Sequence, residues 1–130
     1  MQATAAGTFK VTMTPRPPGD SPAELGRFLL AKTFDGALAG TAAGEMLSAG
    51  NPASGSAGYV ALEWVDGAIG SRRGRFALQH TGTMDAGASS LSITVVPGSG
   101  SGGFAGMAGR LELVIADGVH HYTLHYQLPD

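Results

Sequence analysis

Residues 95–109, VVPGSGSGGFAGMAG, decide the fold of this chain. A short β-branched strand runs into a glycine-dense crossing, and a strand-like segment, residues 111–115, follows it. Glycine costs backbone entropy and buries no side chain, so its density indicates sharp turns, bulges or close passage of one backbone past another. The crossing therefore predicts a strongly curved β-sheet, and it says little about chemistry.

The same stretch contains Gly98, Gly100 and Gly103 in the G-x-G-x-x-G spacing of a dinucleotide-binding loop. That motif needs a helix that opens at its last glycine and presents N–H groups to phosphate. Two further glycines, Gly106 and Gly109, interrupt any such helix, and the next segment alternates as a strand does. The pattern therefore argues against nucleotide binding.

The composition indicates one globular domain that spans residues 1–130. Apolar residues make up 43% of the chain, and the net charge of −2 argues against a nucleic-acid partner. Cysteine is absent, which excludes disulfides and thiolate catalysis. The first residues lack the basic-then-apolar pattern of a signal peptide, and no apolar run approaches membrane-spanning length. We therefore expect a cytoplasmic protein without a membrane partner.

Apolar and polar residues alternate along most of the chain, which is typical of strands with one buried face. Residues 37–49 are also assigned to a strand, because Gly40 and Gly44 weaken a helix. The dipeptides Asp66-Gly67 and Asp117-Gly118 favour positive φ angles, so each predicts a tight hairpin turn. The predicted strands cover residues 8–13, 27–34, 37–49, 59–65, 68–80, 89–96, 110–115 and 119–127.

About eight strands and no helix predict an all-β fold, either an antiparallel barrel or a sandwich. A closed barrel of this size either fills its interior with side chains or holds one small ligand. The many alanines and glycines in these strands favour some unfilled volume.

A hairpin at Asp66-Gly67 places Glu63 on the same sheet face as Phe76, Leu78 and His80. Phe76 and Leu78 indicate that this face points inward. Glu63 and His80 would then lie far apart along the hairpin but could face each other across a barrel. A carboxylate in apolar surroundings has a raised pKa and can serve as a general acid or base.

Two alternatives remain open for this strand. A three-residue loop or a bulge would reverse the alternation, expose Glu63 and turn Leu62 and Trp64 inward. Glu63 could also be a surface residue or pair with a nearby arginine, as structural carboxylates often do.

The last predicted strand is rich in histidine and tyrosine, which suggests a metal site at first sight. His121 and His125 share a face but lie about 13 Å apart, at roughly 3.3 Å per residue. They cannot bind one ion, and the short spacings of common metal ligands are absent. We therefore expect no metal and no other cofactor.

Several segments together resemble a small bacterial family known only as a domain of unknown function, whose members have an allene-oxide-cyclase-like β-barrel. The resemblance extends from about Gly44 to the C-terminus. The crossing is also similar to the G-S/T-G-x-F-x-G-x-x-G segment of allene oxide cyclases and dirigent proteins. The segments are GYVALE at residues 58–63, GxFxLQH at 74–80, VPGSG at 96–100, GxxG at 106–109 and HYxLxY at 121–126.

This resemblance implies a closed eight-stranded barrel with a central cavity, assembled as a dimer or trimer, that binds an apolar or aromatic small molecule. Because Gln79 and His80 are adjacent on one strand, only one of them can face such a cavity. The family-like positions are Glu63, Phe76, Gln79, His80, His121, Tyr122 and Tyr126.

Two main functional hypotheses follow. In the first, the protein is a cofactor-free isomerase, cyclase or lyase in which Glu63 and His80 are catalytic. In the second, it is a non-catalytic binder or carrier that uses the same pocket. A buried Glu63 within reach of His80 or a tyrosine favours the enzyme, whereas a wholly apolar pocket with Glu63 outside it favours the binder. A third possibility is a collapsed barrel without a cavity. The expected ligand-binding residues are Tyr59, Trp64, Phe76, Gln79, His121, Tyr122 and Tyr126.

Overall fold

A computed structural model describes all 130 residues, and almost all of them lie in β-strands or short turns. The one helical segment is a single 3₁₀ turn, Pro52–Ser54, so no helix is long enough to cross a membrane. The predicted all-β class is confirmed. The strands are β1 Gln2–Arg16, β2 Gly26–Gly36, β3 Leu38–Asn51, β4 Ser56–Ile69, β5 Arg72–Asp85, β6 Ala88–Val95, β7 Ser101–Gly102, β8 Ala108–Ala116 and β9 Val119–Gln127.

The strands form one closed antiparallel barrel. Strands β1 to β6 pair in chain order, β6 pairs with β8, and β8 pairs with β9. Strand β9 then pairs with β1, which closes the barrel at eight strands, while the two-residue β7 only extends β5. The predicted barrel is confirmed, and the sandwich alternative is excluded.

One of the two predicted hairpin turns is correct. Asp117 and Gly118 connect β8 to β9 with φ angles of 52° and 76°, as a two-residue turn of this type requires. The hairpin at Asp66-Gly67 is wrong, because β4 continues to Ile69. Asp66 pairs with residues on both β3 and β5, and these two ladders outweigh its local turn preference.

The true turn between β4 and β5 places Glu63 opposite Leu78, whereas a two-residue turn at Asp66-Gly67 would place it opposite Gly70. This displacement is an even number of residues. Since side chains alternate with a period of two, the same residues still face inward. The predicted inward face is therefore confirmed, with Glu63 1% exposed and His80 5% exposed.

The glycine-dense crossing folds against β5 and closes one end of the barrel. Its Gly103 N–H donates a hydrogen bond of 2.7 Å to the Arg73 carbonyl oxygen. Phe104 inserts from the crossing and packs edge-on against Phe76, with ring centroids 5.3 Å apart. A Cβ atom at Gly100 would clash with the Phe104 carbonyl oxygen, so the glycine permits this close passage.

The end of the barrel closed by the crossing is filled with side chains and is called the packed half. The Tyr122 hydroxyl fixes the turn between β2 and β3 there. It accepts a hydrogen bond from the Leu38 N–H at 3.0 Å and lies 2.9 Å from the carbonyl oxygens of Asp35 and Leu38. The fully buried members of the packed half are Leu38, Val65, Phe76, Leu78, Phe104, Tyr122 and Leu124.

Candidate functional site

The opposite half of the barrel is open and holds a cavity of about 750 Å³. Lumen-facing Met13, Leu91 and Ile115 are 45%, 43% and 61% exposed, whereas their counterparts in the packed half are buried. Every barrel strand except β9 contributes to the cavity wall. The barrel has therefore not collapsed, and we call this space the lumen cavity.

The wall of the lumen cavity is apolar and uncharged. No Asp, Glu, Lys, Arg or His side chain lines it, and its polar groups are hydroxyls, among them that of Tyr59. Three of the five methionines, Met13, Met46 and Met84, lie in the wall. Flexible thioether side chains adapt to irregular apolar ligands. The volume lies within the usual range for small-molecule sites.

A larger depression of about 1330 Å³ lies on the outer surface of the barrel. It is a groove across β2, β3, β4 and β5, and His80 is among the residues that line it. The lumen cavity is the better candidate site, because the inward face of β4 runs from Tyr59 in its wall to the buried Glu63. The groove is part of an outer apolar face formed by Leu29, Leu47, Val60, Leu62 and Trp64, all more than a third exposed.

Three ionisable side chains form a layer between the lumen cavity and the packed half, which we call the charged layer. Lys32 Nζ and His80 Nε2 each lie 2.8 Å from Glu63 Oε2. The side chain of Glu63 is completely buried, and those of Lys32 and His80 are 8% and 7% exposed. Glu63 and His80 meet as diagonal neighbours on β4 and β5, so the expectation that they lie far apart along the hairpin is wrong.

The Glu63 carboxyl is ionised in this environment. Burial raises its pKa, but the neighbouring His80 and Lys32 together outweigh burial and hold the pKa below its usual value. The expectation of a raised pKa is therefore wrong. It considered desolvation alone, whereas the fold brings a lysine to the carboxylate from another strand.

One oxygen of this buried carboxylate is left without a partner. Lys32 donates a hydrogen bond to Glu63 Oε2, while Oε1 has no hydrogen-bonding partner. The contact of His80 Nε2 with Oε2 has the length of an ion pair but lies outside hydrogen-bonding geometry. Unsatisfied buried polar atoms are rare and often mark functional sites. The charged layer thus retains an unused acceptor.

Lys32 is the member of the charged layer that the sequence analysis did not single out. It lies in a run in which Phe28, Leu30 and Phe34 alternate with outward residues, and this alternation places Lys32 on the lumen face. A lysine on such a face requires an anionic partner. That requirement was the available signal for the Lys32–Glu63 pair. The Lys32 ammonium also lies 4.6 Å from the centre of the Phe9 ring.

The structure separates the predicted ligand-binding residues into three groups. Tyr59 lines the lumen cavity. Phe76, Tyr122 and Tyr126 are buried in the lumen but do not line this cavity. Trp64, Gln79 and His121 lie on the outer surface.

Trp64 packs beneath the Arg75 guanidinium, which lies 5.0 Å from its ring centre. This contact belongs to the outer surface, so Trp64 is not a wall residue of the lumen. The structure holds no group of three or more His, Asp or Glu side chains arranged to bind a metal ion.

Fold and site together define a closed eight-stranded β-barrel with an apolar cavity at one end and a buried charged layer at its base. The chain belongs to the DUF3224 family, described as proteins of unknown function, whose profile matches residues 5–126. It is similar to the crystal structure of a DUF3224 protein of unknown function from Shewanella oneidensis MR-1. The two are 39% identical with a TM-score of 0.90, and the match covers 100% of this chain and 99% of the other. No curated protein matches the chain.

Proposed function

We propose that the protein binds an apolar or aromatic small molecule in the lumen cavity and acts on it as a cofactor-free isomerase, cyclase or lyase. The observation that carries the proposal is Glu63 Oε1, a buried acceptor without a partner beneath an apolar cavity. Apolar surroundings that exclude water strengthen the electrostatic effect of such a group on a bound molecule.

Glu63 and His80 have distinct roles in this proposal. The ionised Glu63 carboxylate serves as a general base or stabilises positive charge, and His80 beside it transfers a proton or orients the carboxylate. Lys32 keeps the carboxylate ionised and is a positioning residue. The apolar wall holds the substrate in a reactive conformation, which lowers the entropic part of the barrier.

The same proposal places the barrel in the allene-oxide-cyclase-like superfamily. The glycine crossing and the closed eight-stranded barrel support that kinship. Enzymes of that superfamily guide cyclisations and couplings by shaping their substrates, and a lumen cavity suits such a role.

A non-catalytic carrier is the second candidate function. The uncharged wall favours it, because no ionisable side chain other than Tyr59 touches the cavity directly. A carrier would need only the apolar cavity, and the charged layer would then be a structural ion pair.

Binding in the lumen can be tested with the neutral fluorescent probe N-phenylnaphthylamine. Ala57 lines the cavity, so Ala57→Phe fills part of it, and we expect affinity to fall by about tenfold or more because the added ring occupies space that the probe needs. Ala39→Phe on the outer surface is the matched control and leaves affinity unchanged. Equal affinity of the two variants would contradict binding in the lumen.

Catalysis is tested after native mass spectrometry identifies the ligand carried through purification. Glu63→Gln keeps the side-chain shape and removes the ionisable group, so turnover should fall by roughly 10²- to 10⁴-fold with binding nearly unchanged. A folded Glu63→Gln protein with wild-type turnover would leave the carrier as the better account.

A further inference from the structure

Tyr59 lines the lumen cavity and also borders the charged layer. Its ring centre lies 6.3 Å from that of His80. Along β4, the inward positions Tyr59, Ala61 and Glu63 follow one another from the cavity toward the packed half. A molecule that reaches the bottom of the cavity therefore meets the Tyr59 phenol before it meets the carboxylate.

The phenol of Tyr59 is a neutral hydrogen-bond donor without a protein acceptor. Burial raises the pKa of Tyr59, and the Glu63 carboxylate raises it further, so the hydroxyl stays protonated. The Tyr122 hydroxyl is occupied by the turn between β2 and β3, whereas that of Tyr59 makes no hydrogen bond within the chain. The O–H of Tyr59 is thus free for a ligand.

Gly82 fixes the position of the Tyr59 ring. It lies directly opposite Tyr59 on β5, and a Cβ atom there would clash with Cε1 of the tyrosine ring. The ring therefore lies across the glycine, which keeps the phenol at the bottom of the cavity. Tyr59 can adopt this orientation because Gly82 on the neighbouring strand has no side chain.

We propose that the substrate is a neutral apolar carbonyl compound with a hydrogen on the adjacent carbon, that Tyr59 donates a hydrogen bond to the carbonyl oxygen, and that Glu63 moves the proton. This inference rests on the proposed function. The Tyr59 O–H can donate a hydrogen bond to the carbonyl oxygen of an O=C–C–H group. The ionised Glu63 carboxylate can accept the acidic hydrogen on the adjacent carbon. The uncharged wall fits a neutral molecule.

The reaction is a proton transfer that balances without a cofactor. Glu63 Oε1 removes the proton from the carbon next to the carbonyl, and the electron pair of that C–H bond forms a C=C bond. The carbonyl π pair moves onto oxygen, where the Tyr59 O–H stabilises the negative charge. The protonated carboxyl then returns its proton to a conjugated carbon, which gives isomerisation. In D₂O, the carboxyl proton is replaced by a solvent deuteron before its return, and the original carbon then carries deuterium.

The test uses β-tetralone, a flat apolar ketone, and tetralin, its analogue without the carbonyl. In D₂O, nuclear magnetic resonance follows the exchange of the hydrogens next to the carbonyl for deuterium. The affinity of each compound is measured by its displacement of an apolar fluorescent probe from the protein. We expect the wild type to accelerate exchange above buffer. Loss of an oxyanion donor in Tyr59→Phe should slow it by about 10²- to 10³-fold.

A carbon-13 label at the carbonyl separates hydrogen bonding from a merely structural role of Tyr59. The carbonyl carbon-13 resonance of β-tetralone should lie downfield of its free position when the ketone is bound to the wild type. This downfield shift should disappear in Tyr59→Phe, while the affinity for tetralin stays unchanged. Bound ketone without enhanced exchange, or exchange indifferent to Tyr59→Phe, overturns the inference and leaves binding in the lumen intact. If neither compound binds, the proposed function fails as well.

Discussion

Replacing Lys32 by methionine removes the charge that keeps Glu63 ionised in the barrel interior. The side chain of Glu63 is completely buried, and Lys32 is its hydrogen-bonding partner at 2.8 Å. Removal of one member of such a pair leaves an uncompensated buried charge and costs about 3–5 kcal/mol. For a chain of this length that loss corresponds to a decrease in Tm of roughly 10–20 °C.

The assay is urea unfolding followed by far-ultraviolet circular dichroism at neutral pH. The matched control is Lys10→Met on the exposed face of β1, which should stay within about 0.5 kcal/mol of the wild type. The double variant Lys32→Met/Glu63→Gln should recover most of the loss, because it buries no charge. A cost for Lys32→Met no larger than that for Lys10→Met would refute the reasoning.

Three further predictions concern the packed half, acid stability and assembly. Tyr122→Phe leaves the buried Leu38 N–H without an acceptor and should cost about 1–3 kcal/mol in urea unfolding. The pKa of Glu63 is lower in the folded than in the unfolded chain. Ionised Glu63 therefore stabilises the fold at pH values above its unfolded-state pKa, and this stabilisation is lost as the pH falls through its folded-state pKa. The drop in unfolding free energy from pH 6 to below about pH 4.5 should therefore be smaller in Glu63→Gln. The outer apolar face should mediate a homodimer or trimer; Leu62→Lys should yield monomers in light scattering, and an unchanged mass would contradict this role.

Short-range patterns in the sequence determined the class of fold and the direction of most side chains. The hairpin at Asp117-Gly118 depends only on two residues that accept positive φ, so the local signal was sufficient. Alternation placed Glu63, Phe76 and His80 on the inner face. This assignment is correct although the predicted turn is wrong, because the true register differs from the predicted one by an even number of residues.

The tertiary structure decided which inward groups touch and where the lumen stays empty. The turn at Asp66-Gly67 failed because two neighbouring strands hold that dipeptide in extended pairing. The pairing of Lys32 with Glu63 joins residues from β2 and β4. It exists because both strands pair with β3, which lies between them in the barrel. Contacts between strands depend on register and closure, which no local pattern encodes. The same closure leaves one half packed and the other open.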